Sequence, residues 1–289
     1  MKSGFVNIFG RPNAGKSTLL NTIMGEKMAI VSSKVQTTRH RIKAFLNKEN
    51  EYQIIFSDTP GIIDPKYKLH EKMMGAVKSA LEDADLALLM VDIRENFKEL
   101  DELFNSLKLK VPCIVVINKS DLAQADQIHD AINFFKEKPY CSNIISLSAL
   151  SSNDIQDLLK LIIEKMPEGL PFYSQEDLSD LPTKFFVSEL IREKIYHLFG
   201  EEIPYQTTVM VNSFKQQPLL VKIQADIIVN RETQKAIIIG EKGRMIKEIG
   251  TLARKDIEDF IGSKIYLELF VKVKPKWREN ESKLKEFGY

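Results

Sequence analysis

The chain has 289 residues, 44% of them hydrophobic and 28% charged, which excludes a disordered or fibrous polymer and suggests two globular domains of roughly 150 residues each. Two cysteines, Cys113 in an apolar run and Cys141 near a turn, have neither disulfide-framework nor metal spacing, and His40, His70, His129 and His197 are scattered, so the expected setting is a reducing compartment without a histidine-built metal site. The net charge of +1 is unevenly spread: residues 183–289 hold 19 Lys+Arg against 15 Asp+Glu, while residues 1–182 hold 22 against 25, which hints at an anionic partner for the C-terminal part.

The first apolar run, residues 5–9, reads as a buried strand that leaves no room for a leader peptide, and no run approaches the ~20 residues of a membrane span, so a cytoplasmic protein is expected. Directly after that strand comes Gly10-Arg11-Pro12-Asn13-Ala14-Gly15-Lys16-Ser17-Thr18, with the spacing G-x-x-x-x-G-K-S, and then a helical pattern over 16–25. Strand, glycine loop and helix N-terminus are the setting of a phosphate-binding loop. Gly10 and Gly15 let successive N–H groups face an anion, Lys16 places a cation on the terminal phosphates, and Ser17 can ligate magnesium.

Further strands are expected at 41–46, 52–57, 86–92, 112–117 and 144–147, and helices at 71–81, 97–108, 124–137 and 153–165. This alternation predicts an α/β domain with a mostly parallel sheet covered on both faces and its ligand at the C-terminal strand ends. The short polar turn between 41–46 and 52–57 predicts a hairpin and hence one antiparallel strand. Residues 36–41, Gln36-Thr37-Thr38-Arg39-His40-Arg41, form a polar stretch between the helix over 16–25 and the second strand; together with the motifs below, its position resembles the first switch of GTPases, and Thr38, with Thr37 next, is the candidate magnesium ligand and γ-phosphate sensor that the resemblance implies.

Three motifs fall at strand ends. Asp58-Thr59-Pro60-Gly61 can hold magnesium through Asp58 and meet the γ-phosphate with the Gly61 N–H, although alone it reads as a plain turn. Asn118-Lys119-Ser120-Asp121 supplies a carboxylate suited to the ring N–H and exocyclic amine of guanine, a match adenine lacks. Leaving such a group unmatched costs about 1–3 kcal/mol. Ser148-Ala149-Leu150 offers the Ala149 N–H to the guanine oxygen. Ile62 stands where Ras-like proteins place a water-orienting glutamine, so slow intrinsic turnover is expected. Asn13 resembles the asparagine with which some GTPases hold a potassium ion beside the phosphates. The candidate catalytic residues are therefore Lys16, Thr38, Gly61 and Asn13, and the metal ligands Ser17, Thr38 and Asp58.

Residues 166–182, with three prolines and no sustained period, read as the boundary, giving a nucleotide domain over 1–168, a linker over 169–182 and a second domain over 183–289. Beyond it the pattern is a helix over 183–199, strands near 205–214 and 219–229, a short helix from Arg231, a long helix to about Phe260 and a strand over 265–273. This α-β-β-α-α-β order carries Gly240-Glu241-Lys242-Gly243 between its last two helices, where the G-x-x-G loop of a KH domain (type II order) clamps about four nucleotides. Lys242, Arg244 and Lys247 surround that loop, and Ile237, Ile238, Ile239 and Ile246 form an expected apolar wall for bases. Lys272, Lys274, Lys276, Trp277 and Arg278 alternate cations with an indole that either stacks on a base or packs at the domain edge.

Taken together, these motifs and Ser188-Glu189-Leu190-Ile191-Arg192-Glu193-Lys194 resemble the bacterial Era family over nearly the whole chain. The resemblance implies a GTPase followed by one KH domain, GTP and GDP as ligands with magnesium, and binding near the 3′ end of small-subunit ribosomal RNA. It also implies a role in small ribosomal subunit maturation and a peripheral fraction at the inner membrane, with the protein a monomer. Two rivals stand beside it: another translation or tRNA-modification GTPase, whose extra barrel or enzymatic domains are not evident here, and a non-hydrolysing nucleotide-dependent RNA scaffold.

Overall fold

The computed structural model describes every residue from Met1 to Tyr289. It resolves into two units. The first comprises Met1–Ala29, Thr38–Asp64 and Met73–Asp180; the second comprises Ile30–Thr37, Pro65–Lys72 and Leu181–Tyr289.

The elements of the nucleotide half, in chain order, are β1 (Lys2–Phe9), α1 (Lys16–Met24), β2 (Ile42–Lys48), β3 (Tyr52–Asp58), α2 (Lys68–Glu82), β4 (Leu86–Asp92), α3 (Phe97–Ser106), β5 (Cys113–Asn118), α4 (Ala125–Lys136), β6 (Asn143–Leu147) and α5 (Ser152–Lys165). The six strands form one sheet in the order β2-β3-β1-β4-β5-β6. All pairings are parallel except β2 with β3, the expected hairpin. β4 and β5 are buried along their full length, which explains why their sequences are apolar up to the closing Asp92 and Asn118: helices cover both faces, so neither face needs a polar residue. Leu89, Val91, Val115 and Ile117 pack with Leu100 and Phe104 of α3 and Ala131 and Phe135 of α4. Each large side chain so buried stabilises the fold by about 1.5–3 kcal/mol. Helix starts are set by side-chain caps, with Asn96 accepting from the Lys98 N–H ahead of α3 and Ser151 accepting from the Asp154 N–H ahead of α5.

Register decides where the loops emerge. Ile8 pairs with Asp58, Asp92 with Asn118, and Asn118 with Leu147. β1 and β3 therefore end level with each other, while β4, β5 and β6 end together three residues further on, since Phe9 pairs with Leu89, and the segments that follow all five strands open on one edge of the sheet.

Residues 169–180 do not form a free linker; they belong to the first unit and lie along the outer strand β2. The Phe45 N–H donates to Leu178 O at 2.9 Å, Ser179 Oγ to Lys43 O at 2.5 Å, and Asn47 Nδ2 to Gln175 O at 3.1 Å. Tyr173 stacks on Phe45 at 4.0 Å, and the Gln53 carboxamide binds the Phe172 and Tyr173 backbone. Sequence pattern misses this strap because its proline-rich stretch has no period of its own; its partners are supplied by β2.

The second unit is built on α6 (Thr183–Leu198), β7 (Thr208–Gln217), β8 (Leu220–Val229), α7 (Glu232–Ile239), α8 (Arg244–Ile261), β9 (Ile265–Val273) and a C-terminal α9 (Glu281–Glu286). β7 and β8 pair antiparallel and β8 and β9 parallel, with α7 and α8 as the crossover. Val187, Ile191 and Ile195 of α6 pack with Ile223, Ala225 and Ile227 of β8 and Ile249, Ala253 and Ile257 of α8. The spacing of the α8 residues is that of one helix face.

Trp277 corrects an expectation. It has no exposed surface, its Nε1 donates to Gln206 O at 3.0 Å, and its ring lies 5.9 Å from Phe287 and 6.0 Å from Tyr289. An indole enclosed in this way cannot stack on a base; the packing alternative holds. The α9 segment that encloses it follows a charged, lysine-rich stretch with only Leu284 and Phe287 as apolar anchors, which is why it escaped the periodicity reading. Replacing Trp277 with Ala is expected to destabilise the protein by about 3–5 kcal/mol in urea unfolding followed by circular dichroism. In the unaltered chain the emission of this single tryptophan should resist acrylamide quenching and stay unchanged on adding single-stranded RNA.

Candidate functional site

The loop from Gly10 to Gly15 joins β1 to α1 and takes a path only certain residues allow. Gly15 has φ 98°, and a Cβ there would stand 2.1 Å from Asn118 Nδ2, so glycine is required for both conformation and space. Asn13 also adopts positive φ, at 65°. Pro12 packs on Gly61, where a Cβ would come within 2.7 Å of the proline ring. Arg11 points outward to Glu99 at 2.9 Å. Thr18 lies in the first turn of α1, its carbonyl accepting from Thr22 Oγ1.

Lys16 is buried, and its ammonium donates to the carbonyls of Gly10 at 3.1 Å and Arg11 at 2.8 Å. Burial pulls its pKa down to about 8, against the attraction of Asp58 and Glu95. A cation desolvated this strongly is poised for an anion.

Ser17, Thr38 and Asp58 converge. Ser17 Oγ donates to Asp58 Oδ2 at 2.6 Å and lies 2.8 Å from Thr38 Oγ1, which itself reaches Asp58 Oδ2 at 3.1 Å. Asp58 is fully buried, and its Oδ1 has no hydrogen-bond partner. Burial pushes its carboxyl pKa up, opposed by the Lys16 ammonium and the two hydroxyls. Two hydroxyls and an orphaned carboxylate oxygen are hard oxygen donors suited to magnesium, which keeps waters and takes few protein ligands. The geometry also separates the two threonines: Thr37 Oγ1 donates to Lys34 O, away from this cluster.

The segment after Asp58 turns back over the phosphate loop. Thr59 Oγ1 donates to Ile8 O at 2.6 Å, Pro60 is buried, and the Ile62 N–H donates to Gly10 O at 3.2 Å while its side chain packs on the sheet core.

At the end of β5, Asn118 acts as a strut. Its Nδ2 donates to Ala14 O at 2.8 Å, and its Oδ1 accepts from the Ala149 N–H at 2.9 Å, so one carboxamide ties the phosphate loop to the loop after β6. The Ala149 N–H that the sequence offers to the guanine oxygen is the same group that donates to Asn118 in this structure. Lys119, at φ 65°, extends its ammonium to Asn13 O at 2.8 Å and Asp92 Oδ2 at 2.6 Å. Although burial opposes it, bonds from Arg94 and Lys119 hold the Asp92 carboxyl well below the usual range. Asp121, the carboxylate the sequence offers to guanine, is exposed. Ser148 is buried with its N–H on Asp154 Oδ2, and Leu150 is 76% exposed beside it. Asp92 was not singled out from sequence; its one signal is an acidic residue closing an otherwise apolar strand.

In the second unit, Gly240 and Gly243 both have positive φ, and a Cβ on Gly240 would meet Met245 at 2.6 Å. Glu241 and Lys242 project from the turn, with Arg244 and Lys247 exposed on the first turn of α8. Beside them a groove of about 350 Å³ runs between α8 and β9, lined by Ile246, Lys247, Gly250, Arg254, Leu267 and Leu269. Arg254 and Gly250 were missed in the sequence, although they continue the face of Ile246 and Lys247 at helical spacing. Of the expected apolar wall, Ile237 is exposed and Ile239 partly so, but Ile238 is fully buried in the core and faces no ligand. Lys274 and Lys276 follow β9, their backbone N–H groups bound to Val229 O and Asn230 Oδ1.

A family model described as a 50S ribosome-binding GTPase matches residues 5–119, and one described as a KH domain matches residues 202–278. With the loops just described, these define a P-loop GTPase joined to a KH module. Two solved structures of Era each match 100% of this chain and 99% of their own at 41% identity and a TM-score of 0.96. One is Era in complex with MgGDPNP and nucleotides 1506–1542 of 16S ribosomal RNA; the other is a tyrosine-to-alanine variant of Aquifex aeolicus Era bound to GDP.AlF4−. The chain belongs to the Era family.

The depressed pKa of Lys16 carries a sign. A bound polyphosphate favours the charged ammonium and raises that pKa, so binding above pH 8 takes up a proton. Nucleotide affinity is therefore expected to weaken as pH rises beyond about 8. Calorimetry at pH 8.5 in buffers of different ionisation heat should report net proton uptake, and Lys16→Met should remove it.

Proposed function

We propose that this chain binds GTP with magnesium, hydrolyses it slowly, and uses the nucleotide state to regulate binding of a single-stranded segment near the 3′ end of small-subunit ribosomal RNA during assembly of that subunit. The observation that carries the reading is the meeting of Ser17, Thr38 and the orphaned Asp58 oxygen beside the buried Lys16 ammonium. Ser17, Thr38 and Asp58 would hold the magnesium, which when bound neutralises charge on the β- and γ-phosphates. Lys16 would release the Gly10 and Arg11 carbonyls in exchange for phosphate oxygens. Asp121 would accept from the guanine edge, and the Asn118 strut keeps the base loop and the phosphate loop at a fixed separation.

Slow turnover follows from Ile62, whose side chain is committed to the core and offers no hydrogen bond to a water. Asn13 stays in the reading as the residue that would hold potassium beside the phosphates, and hydrolysis equal in sodium and potassium would count against it. Lys242, Arg244 and Lys247 would contact RNA phosphates at the Gly240–Gly243 turn while bases enter the α8–β9 groove. The reading extends to a cytoplasmic monomer with a peripheral inner-membrane fraction, as the family resemblance implies; no helix is long and apolar enough to cross a membrane.

Single-turnover hydrolysis of GTP separates this reading from a non-hydrolysing scaffold. Asp121→Asn is expected to lower GTP affinity by about 2–3 kcal/mol and to raise affinity for xanthosine triphosphate, since the amide donates where the carboxylate accepted. Calorimetry with both nucleotides checks it. Lys242→Glu should weaken binding to single-stranded RNA and flatten the slope of log K against log salt by roughly 0.7 or more, about one phosphate contact, in filter-binding titrations.

A further inference from the structure

One of the places where the chain passes between the two units is the peptide bond after Thr37, with Ile30–Thr37 in the second and Thr38 in the first. On the C-terminal side the chain is anchored by Arg41, whose guanidinium binds Asp83 at 2.7 Å and Ser57 Oγ at 2.9 Å. On the N-terminal side most anchors are on α6, beside the Tyr67 hydroxyl, which donates to Gln36 Oε1 at 3.0 Å. Arg192 Nη2 donates to the Thr37 carbonyl at 2.5 Å, Tyr196 Oη to the Gln36 carbonyl at 2.8 Å, and His197 Nε2 lies 3.1 Å from the Val31 carbonyl. Lys34 answers in the other direction, its ammonium donating to the Tyr196 and Phe199 carbonyls at the end of the same helix.

Arg192 is the unusual member of this set. It is 1% exposed, and a guanidinium so buried contributes little net stability against an apolar side chain of equal size. Its orientation is locked: Nε donates to Glu189 Oε1 at 2.7 Å and Nη2 to Glu189 Oε2 at 2.5 Å, one turn earlier on α6, and its Cζ lies 5.2 Å from the centroid of the Tyr196 ring. A planar guanidinium fixed by a bidentate carboxylate has the second N–H of its Nη2 aimed in one direction. Here that direction is the carbonyl immediately before Thr38.

We propose that Arg192 is a positioning residue for GTP hydrolysis, fixing the Thr37 carbonyl so that the Thr38 hydroxyl is delivered to Ser17 and Asp58. Arg192 touches neither nucleotide nor metal; it acts through one peptide unit. The inference rests on the magnesium-and-GTP reading of that cluster. It assigns to the Ser188–Lys194 motif a task in the nucleotide reaction, distinct from building the fold that surrounds it. GDP, which lacks the γ-phosphate that Thr38 would sense, has no use for this restraint.

The test uses the full chain with Arg192→Met, which keeps the stem and removes the donors. At saturating GTP, kcat should fall about tenfold and the magnesium concentration for half-maximal rate should rise by a similar factor, while GDP affinity stays within about twofold. Arg192→Lys, which can still place one donor on the Thr37 carbonyl, should recover part of both. Tyr196→Phe removes the neighbouring restraint on Gln36 without leaving a buried charge, so it serves if Arg192→Met does not fold; it should shift both quantities in the same direction by about threefold. Folded variants with unchanged kcat and magnesium requirement, in a protein whose wild type hydrolyses GTP, would overturn the proposal. A wild type that neither binds nor hydrolyses GTP would overturn the underlying reading instead.

Discussion

An ammonium and a carboxylate are both withdrawn from water at the centre of the nucleotide half, and the protein alone satisfies neither. Lys16 leans on two carbonyl dipoles, and Asp58 keeps one oxygen without a donor. Desolvation shifts both toward their neutral forms, Lys16 downward and Asp58 upward, and their mutual attraction corrects this only in part. Such a pair is held in place by the surrounding fold at some cost in stability, and polyphosphate and a divalent cation arriving together would relieve it. The parallel sheet is what makes this arrangement affordable, because level strand ends place both groups on a rigid edge from chain segments more than forty residues apart.

Around that centre the motif residues are structural ties as well as candidate ligand contacts. Asn118 spans the loops that would hold phosphate and base, and Lys119 joins Asn13 to Asp92. A loop braced in this way loses little entropy on binding, so the interaction with a ligand is not spent on ordering the protein. The same logic extends to the first switch, where α6 restrains the residues before Thr38 and Arg41 those after it.

Much of this was legible in the chain. The spacing from Gly10 to Ser17 encodes a local backbone path, and local paths are what short motifs record. The apolar runs of β4 and β5 announce burial on both faces, and the α-β-β-α-α-β order follows from changes of period. What sequence did not show depends on partners distant along the chain. Nothing near Trp277 says that Phe287, Tyr289 and the Gln206 carbonyl will enclose it, and its neighbouring lysines suggested the opposite. Ile238 looked like its neighbours in an isoleucine run, and only the helical turn directs it inward. Arg192 sits in a segment whose charges look solvent-facing on a helix, and its burial becomes evident only when residues 30–37 are found alongside.

The proline-containing strap along β2 has a consequence for anyone dissecting the molecule. An outer strand with open N–H and C=O groups invites pairing with a second chain. Residues 169–180 cover part of that row on β2, taking the Phe45 N–H and the Lys43 carbonyl, with Tyr173 shielding Phe45. Severing the polypeptide at 168, where composition alone would locate the join, strips this cover and leaves a sticky margin prone to self-association. Severing it after Asp180 keeps the margin capped, so the twelve residues that resemble a tether act as the hem of the sheet.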